Sequence, residues 1–161
     1  MDLYIVRHGH AERAGTSDER RTLSNEGHAQ AAHLAGMFAE FVPPLMARPT
    51  VVLSSGADRA RLTAEIIADA VGVEPKIEEA LGLAGSVRAV AELLGALTDE
   101  HESVMIVGHN PTLSDLVEHL TGRESPCLRT GELALLSNIQ AGIHGEATLM
   151  ELVRLEGSVG E

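Results

Sequence analysis

Residues 3–9 read Leu-Tyr-Ile-Val-Arg-His-Gly, an apolar run that stops abruptly at an arginine, a histidine and a glycine. A run this short could also come from a helix, but its β-branched residues favour a buried strand. Arg7 and His8 directly follow the apolar residues, so they would lie where that strand ends. The segment therefore predicts a core strand whose carboxyl end carries a guanidinium group and an imidazole.

Two further apolar runs have the same form. Residues 50–53 (TVVL) precede Ser-Ser-Gly, and residues 103–107 (SVMIV) precede Gly-His-Asn-Pro. Elsewhere apolar residues recur at spacings of three and four, which is typical of helices with one buried face. Helices are predicted from Ser24 to Pro43-Pro44, from Ala60 to Gly72, from Ser86 to Leu97 and from Leu113 to Gly122. Weaker strand signals lie at residues 76–78, 133–136 and 149–153.

Strands that alternate with helices predict crossover units, in which neighbouring strands run parallel. We therefore expect a single α/β domain of three layers, with a mostly parallel central sheet covered by helices on both faces. Residues 1–155 are assigned to this domain, and residues 156–161 to a polar tail.

Composition and charge exclude several classes of protein. The 161 residues are 44% apolar and 22% charged, which is enough to bury one core. The net charge of −12 argues against a binder of nucleic acid or of an anionic membrane. Cys127 is the only cysteine, so no disulfide is expected within the chain. The N-terminus lacks the pattern of a signal peptide, and no apolar run approaches about 18 residues, so we expect a soluble, cytoplasmic protein.

Reactive side chains follow the predicted strands at one edge of the sheet, where ligands of open parallel sheets bind. The sheet would bring together Arg7, His8, Arg59 and His109. Guanidinium groups match phosphate oxygens, and a neutral imidazole can carry a phosphoryl group. The helix that begins near Pro111 adds partial positive charge. These residues predict a phosphate site, and because no metal-binding motif accompanies them, neither a metal nor a cofactor is expected.

These segments resemble the histidine phosphatase superfamily, the phosphoglycerate mutase-like proteins. Residues 5–9 (IVRHG) resemble its RHG signature, and residues 54–63 (SSGADRARLT) its second-strand motif, usually S-S-P-x-x-R-A-x-Q-T. Residues 107–111 (VGHNP) resemble its G-H-N-P segment. The short chain, residues 21–27 (RTLSNEG) and Thr130-Gly131 resemble the SixA-type branch, the phosphohistidine phosphatases.

The resemblance implies a role for each site residue. His8 would be the nucleophile, which is phosphorylated transiently. Arg7 and Arg59 would hold the phosphoryl oxygens, and His109 would stabilise the charge of the transition state. Arg21 matches a frequent arginine of the SixA-like branch, and we expect it at the rim of the pocket. The resemblance also implies a phosphoglycerate mutase-like fold with a minimal cap.

The sequence departs from the family pattern at three positions. Gly56 and Leu62 stand where the family usually has Pro and Gln. Leu83 occupies the position where the mutase and acid-phosphatase branches carry the acid that protonates the leaving group. Protonation of an alcohol leaving group typically raises the reaction rate about 10²–10⁴-fold. An imidazole, whose conjugate acid has a pKa of about 6.5, leaves with little help, so the missing acid favours an N-phosphorylated substrate.

Three classes of function follow from these observations. The favoured one is a phosphatase that hydrolyses phosphohistidine on a partner protein through a covalent intermediate on His8. A small-molecule phosphomonoesterase or a mutase of the same superfamily is the alternative, and the mutase is disfavoured by the short chain and the missing acid. A non-catalytic phosphate-binding module would not need the nucleophile. The physiological substrate and the oligomeric state stay open.

Four further residues lie near the motifs. Ser55 is expected to cap the next helix, with a hydrogen bond to phosphate as the alternative. His10 is expected to face away from the pocket, and Asp18 to order its loop. Arg61 does not match the catalytic arginine and is expected to be structural at most.

Overall fold

The computed structural model describes residues 1–13, 17–40 and 47–157. Strands and helices alternate along them, as predicted from the sequence. The strands are β1 (Asp2–Arg7), β2 (Val51–Ser54), β3 (Lys76–Ile77), β4 (Ser103–Gly108), β5 (Leu133–Ser137) and β6 (Thr148–Val153). The helices are α1 (Asn25–Glu40), α2 (Asp58–Val71), α3 (Val87–Leu97) and α4 (Thr112–Thr121), with short 3-10 turns at Asp18–Arg20 and Glu79–Leu81.

The strands form one six-stranded sheet in the order β3-β2-β4-β1-β5-β6. The first four strands of this order are parallel, and β5 and β6 are antiparallel to their neighbours. β1 and β4 pair in parallel register, which places Arg7 beside Gly108. Because of this register, the residues that follow, His8 and His109, leave the sheet side by side.

Helices cover both faces of the sheet, which gives the three layers predicted. Alternate residues of β1 point to opposite cores: Tyr4 and Val6 pack with α1 and α2, whereas Leu3 and Ile5 pack with α3 and α4. All of these β1 side chains are buried, because a central parallel strand has a helical layer on each side. The core is therefore built almost wholly from aliphatic side chains.

The cap over the site is minimal, as the resemblance implied. The residues between α2 and β4 form β3, a 3-10 turn and α3, and α3 packs into the core through Val90 and Leu94 rather than lying over the strand ends. None of the described helices is long and apolar enough to cross a membrane.

Helix ends follow the sequence signals. Gly72 and Gly122 end α2 and α4 in the left-handed conformation, and the Ser86 side chain caps α3. The end of α1 predicted at Pro43-Pro44 lies outside the described residues, as do residues 158–161 of the predicted tail.

Candidate active site

The ends of β1 and β4 bring two histidines into contact. The ring centroids of His8 and His109 are 5.1 Å apart, and the rings are tilted by 54°. Each residue is only 8% exposed. The His8 amide donates to the carbonyl of Gly108 at 3.0 Å, so the pairing of β1 with β4 continues to the site itself.

The hydrogen bonds of His8 define which ring nitrogen is free to react. Nδ1 lies 2.7 Å from the carbonyl oxygen of Gly9. Because a carbonyl oxygen only accepts, we assign the ring proton to Nδ1. Nε2 is then unprotonated, and it accepts from Nε of Arg59 at 3.4 Å. The ring therefore presents a lone pair at Nε2, next to a guanidinium group.

Arg59 lies in the first turn of α2 and is 4% exposed. Its Nη1 donates to the backbone carbonyl of Asp18 at 2.6 Å, and its Nη2 lies 3.3 Å from the Asp18 carboxylate. The guanidinium thus spans the space between His8 and the 3-10 turn after β1. Asp18 orders this loop, as expected from the sequence.

Arg7 is fixed from the other side of the pocket. Its Nη1 donates to the carbonyl of Leu128 at 3.1 Å, which also accepts from the Asn110 side chain at 2.7 Å. The amide of Gly131 donates to the carbonyls of Arg7 and His8 at 3.1 and 2.9 Å. The segment before β5 therefore closes the wall of the pocket that faces Arg7.

Burial keeps both histidines uncharged at neutral pH. It is the largest cause of a pKa of about 3 for His8. The hydrogen bond to the Gly9 carbonyl opposes this shift, whereas the neighbouring His109, Arg59 and Arg7 add to it. Burial likewise lowers the pKa of His109 to about 4, with Arg59 and Arg7 acting in the same direction. A neutral imidazole is the nucleophilic form, so the site holds His8 ready for attack.

His109 is fixed by Ser55, a contact that the sequence did not predict. Nε2 of His109 lies 2.8 Å from Oγ of Ser55. The expected capping role of Ser55 is wrong: the N-cap of α2 is Ala57, which makes no side-chain cap bond. Ser55 lies two residues before that N-cap, and its Oγ accepts from the amide of Ala57 itself, at 3.1 Å, rather than from an amide inside the helix.

The loop after β1 is held by buried polar groups on α1 and α2. The Gly9 amide donates to Oγ1 of Thr63 at 3.0 Å, and the His10 amide donates to Oε1 of Gln30 at 2.8 Å. The His10 ring contacts Oγ of Ser24 at 2.7 Å, so His10 turns toward the start of α1, as expected. The only signal for Gln30 in the sequence is a polar residue on the buried face of a helix.

Arg21 reaches the site only through Asp18. Its Nη1 lies 3.2 Å from the Asp18 carboxylate, and its Nε donates to the carbonyl of Glu12. This is a position at the rim, one contact away from Arg59. Arg61 points along the surface of α2 and pairs with Asp58 and Glu65.

Two positions decide whether an acid can protonate the leaving group: Leu83 and Asp18. Leu83, where an acid would stand in other branches, is 43% exposed and follows a 3-10 turn whose Leu81 carbonyl lies close to Gly108. Asp18 carries the carboxylate that contacts Arg59. Its hydrogen bond to Arg21 holds the pKa of Asp18 below its usual range, and Arg59 adds to this effect. Asp18 is therefore ionised at neutral pH and is a poor proton donor.

No group of three or more His, Cys, Asp or Glu side chains within the described ranges is placed to hold a metal ion. The polar groups that converge on the pocket are instead two guanidinium groups and two imidazoles. Such a set suits a multiply charged oxyanion, because its donors can surround the equatorial oxygens of a phosphoryl group.

Known proteins are similar to this chain in sequence and in fold. The sequence model of the histidine phosphatase superfamily (branch 1) matches residues 3–82. A phosphohistidine phosphatase SixA homologue from Haemophilus influenzae is 30% identical over 139 residues, which span 78% of this chain and 80% of the relative. The structure of the protein histidine phosphatase SixA complexed with tungstate superposes with a TM-score of 0.83 and 27% identity, over 96% of this chain and 97% of that chain. A putative phosphohistidine phosphatase SixA from Agrobacterium tumefaciens superposes with a TM-score of 0.76 and 26% identity, over 94% of this chain and 97% of that chain.

Proposed function

The chain belongs to the histidine phosphatase superfamily, and from this premise we propose that it hydrolyses phosphohistidine on a partner protein through a phosphoryl group carried by His8. The observation that carries the proposal is the state of His8. Its Nδ1 proton is tied to the Gly9 carbonyl, and its unprotonated Nε2 lies against Arg59. This is the arrangement that a nitrogen nucleophile needs.

In the first step, Nε2 of His8 attacks the phosphorus atom, and the bond from phosphorus to the substrate nitrogen breaks. The departing imidazole leaves as a neutral molecule when its other nitrogen carries a proton. The proton stays on Nδ1 of His8, and its hydrogen bond to the Gly9 carbonyl stabilises the positive charge that develops on the attacked ring. No proton has to be removed from the nucleophile before attack.

In the second step, water attacks the phosphorus atom on the face opposite to His8. The bond between phosphorus and Nε2 breaks, inorganic phosphate leaves, and the neutral ring is restored. Arg59 donates to Nε2, the ring of His109 lies beside that of His8, and Arg7 is close enough to lower the pKa of His8. We assign to these three residues the stabilisation of the negative charge on the equatorial oxygens in both steps. The start of α4, directly after His109, adds partial positive charge.

The substrate class follows from the leaving group. Leu83 cannot donate a proton, and Asp18 is held ionised by its two arginine partners. An alcohol would have to leave without protonation, whereas an imidazole leaves easily because its conjugate acid has a pKa of about 6.5. A phosphoramidate is therefore the substrate that this site can cleave without a general acid.

The minimal cap supports a protein as the carrier of the phosphoryl group. α3 packs against α4 in the core, so this helix does not stand between the strand ends and a large partner. The cytoplasmic location expected from the sequence stays a prediction, which cell fractionation tests.

The test compares two substrates under the same conditions. Purified protein in a chelator is given a ³²P-phosphohistidine protein and, separately, an aryl phosphate, and kcat/KM is measured for each. We expect faster turnover of the phosphohistidine protein. Turnover of the aryl ester alone would favour a small-molecule phosphomonoesterase instead. Isomerisation of a phosphorylated acid would identify a mutase, and no turnover of either substrate would identify a phosphate-binding module.

A further inference from the structure

Ser55 is a buried residue of the loop after β2, and its hydroxyl lies between the start of α2 and the ring of His109. It is 0% exposed, and within the described residues its hydroxyl makes two hydrogen bonds. The amide of Ala57 donates to Oγ at 3.1 Å, and Oγ lies 2.8 Å from Nε2 of His109. The other ring nitrogen of His109, Nδ1, is buried and has no partner in the described part of the chain.

A count of donors and acceptors fixes the direction of the bond between Ser55 and His109. Oγ of Ser55 already accepts the Ala57 amide proton, and its own hydrogen needs an acceptor. Nε2 of His109 is the acceptor within reach. When Ser55 donates to Nε2, the proton of the neutral ring must reside on Nδ1. The burial that lowers the pKa of His109 keeps this ring neutral, so only one nitrogen carries a proton.

We propose that Ser55 is a positioning residue that holds His109 in the Nδ1–H tautomer, so that Nδ1 donates to a phosphoryl oxygen. A buried donor without a partner costs about 1–3 kcal/mol, so such a group in a native structure calls for an explanation, and a catalytic role is one of them. The role of His109 as a phosphoryl ligand rests on the function proposed above. The assignment of the tautomer does not.

The opposite tautomer would oppose phosphate binding. With the proton on Nε2, the ring would donate to Ser55, and Nδ1 would present a lone pair to its surroundings. A lone pair facing a phosphoryl oxygen repels it, whereas an N–H donor attracts it. The hydroxyl of Ser55 therefore decides whether His109 assists or opposes transfer, although it does not itself touch the substrate.

The direct test is an NMR measurement on the wild-type protein at neutral pH. Long-range ¹H–¹⁵N correlation spectra of uniformly ¹⁵N-labelled protein distinguish the two imidazole tautomers by their pattern of cross-peaks. We expect His109 to show a protonated Nδ1 and an unprotonated Nε2. A ring protonated at Nε2 would overturn the proposal without any mutation and without an activity assay.

Variants then connect the tautomer to the rate. Ser55→Ala is expected to give a mixture of tautomers and to lower kcat by about tenfold or more, with a smaller change in KM. Ser55→Thr keeps the hydroxyl and should restore both the tautomer and most of kcat. The matched control is Ser103→Ala, a buried serine at the opposite end of the sheet whose hydroxyl has no partner in the described chain. It should change neither quantity.

The outcomes separate this proposal from the function. Wild-type kcat in Ser55→Ala, or a Ser55→Thr variant with the wild-type tautomer but the rate of Ser55→Ala, would overturn the role of Ser55 and leave the phosphatase intact. A wild-type protein with Nδ1–H on His109 but without phosphatase activity would instead overturn the proposed function. Thermal unfolding of each variant shows whether a lost rate reflects a lost fold.

Discussion

At the scale of single residues, His8 is a neutral nucleophile that lies among cationic arginines. Burial and positive neighbours act in the same direction here, and together they lower the pKa of His8 to about 3. The guanidinium groups that would hold the phosphate thus also keep their nucleophile unprotonated.

The first prediction follows from this pKa. The ¹⁵N shifts of the His8 and His109 rings should remain those of neutral imidazole from pH 8 down to about pH 5, because both pKa values lie below that range. The ring of the exposed His119 provides reference ¹⁵N shifts for a solvent-exposed imidazole in the same spectra. A midpoint near 6.5 for His8 would contradict the assigned environment.

A second prediction concerns the geometry of Arg59. Arg59→Lys keeps the charge but loses the planar fork that reaches His8 and Asp18 together. We expect kcat/KM to fall by about 10²-fold or more, since a point charge does not replace bidentate donors. Arg61→Lys, two positions along the same helix and on its surface, is the matched control and should be near wild type. Wild-type kcat/KM in Arg59→Lys would mean that charge alone is sufficient, and equal losses in both variants would mean that the loss is not specific to Arg59.

The site could be predicted from the sequence where its residues directly follow strands. Arg7, His8 and His109 were found in this way, because parallel register makes strand ends coincide. Their catalytic roles stay predictions. Ser55 and Asp18 could not be assigned their contacts, because each depends on how a loop folds back across the pocket, and no local pattern encodes that path.

At the scale of elements, the start of α1 is pressed against the loop that carries His8. Gly27 in the first turn lies so close that an added Cβ would overlap the carbonyl oxygen of His10. A Cβ on Gly9 would lie 2.8 Å from the carbonyl oxygen of Gly27. Two glycines thus allow helix and loop to approach closely, and this approach fixes the backbone that follows His8.

The third prediction compares two glycines of the same helix. Gly27→Ala places a methyl group against backbone that cannot yield, so we expect a loss of about 1–3 kcal/mol in the free energy of unfolding and a fall in kcat. Gly36→Ala meets nothing within 4 Å, and it should gain about 0.5–1 kcal/mol from helix propensity. Urea denaturation measures both. Stabilisation by Gly27→Ala would contradict the close contact.

Helices were predictable from the three-four spacing of their apolar residues, and the core strands from short continuous apolar runs. The family membership and the three-layer α/β fold expected from the motifs are confirmed. The order of the strands was not predicted, nor was the antiparallel pairing of β5 with β1 and with β6. A short apolar run carries no information on direction, which depends on the length and path of the connections around it.

At the scale of the whole molecule, the site makes stability depend on pH. In the unfolded chain His8 has its ordinary pKa of about 6.5, whereas burial in the folded protein lowers the pKa to about 3. Between these values the unfolded state binds more protons than the folded state. The free energy of unfolding therefore falls as the pH falls from about 6.5 toward 3.

The fourth prediction uses a variant to isolate this effect. His8→Asn removes the titrating group, so it should lose about 2 kcal/mol less stability than the wild type between pH 7 and pH 5. Denaturant unfolding at the two pH values gives the difference, and the other titrating groups cancel because they are shared. Identical losses in the two proteins would show that His8 is protonated in the folded state.

At the scale of the whole reaction, the proposed mechanism depends on one covalent intermediate, the phosphoryl group on His8, and trapping this intermediate is the most direct test. Protein mixed with a ³²P-phosphohistidine protein is quenched in alkaline denaturant, where a phosphorus–nitrogen bond survives, and the labelled peptide is mapped. We predict an acid-labile label on His8 that is absent from His8→Asn and present in His119→Asn, which alters an exposed histidine on α4. Phosphate release by the wild type with no label at any time, or a label that persists in His8→Asn, would contradict the mechanism.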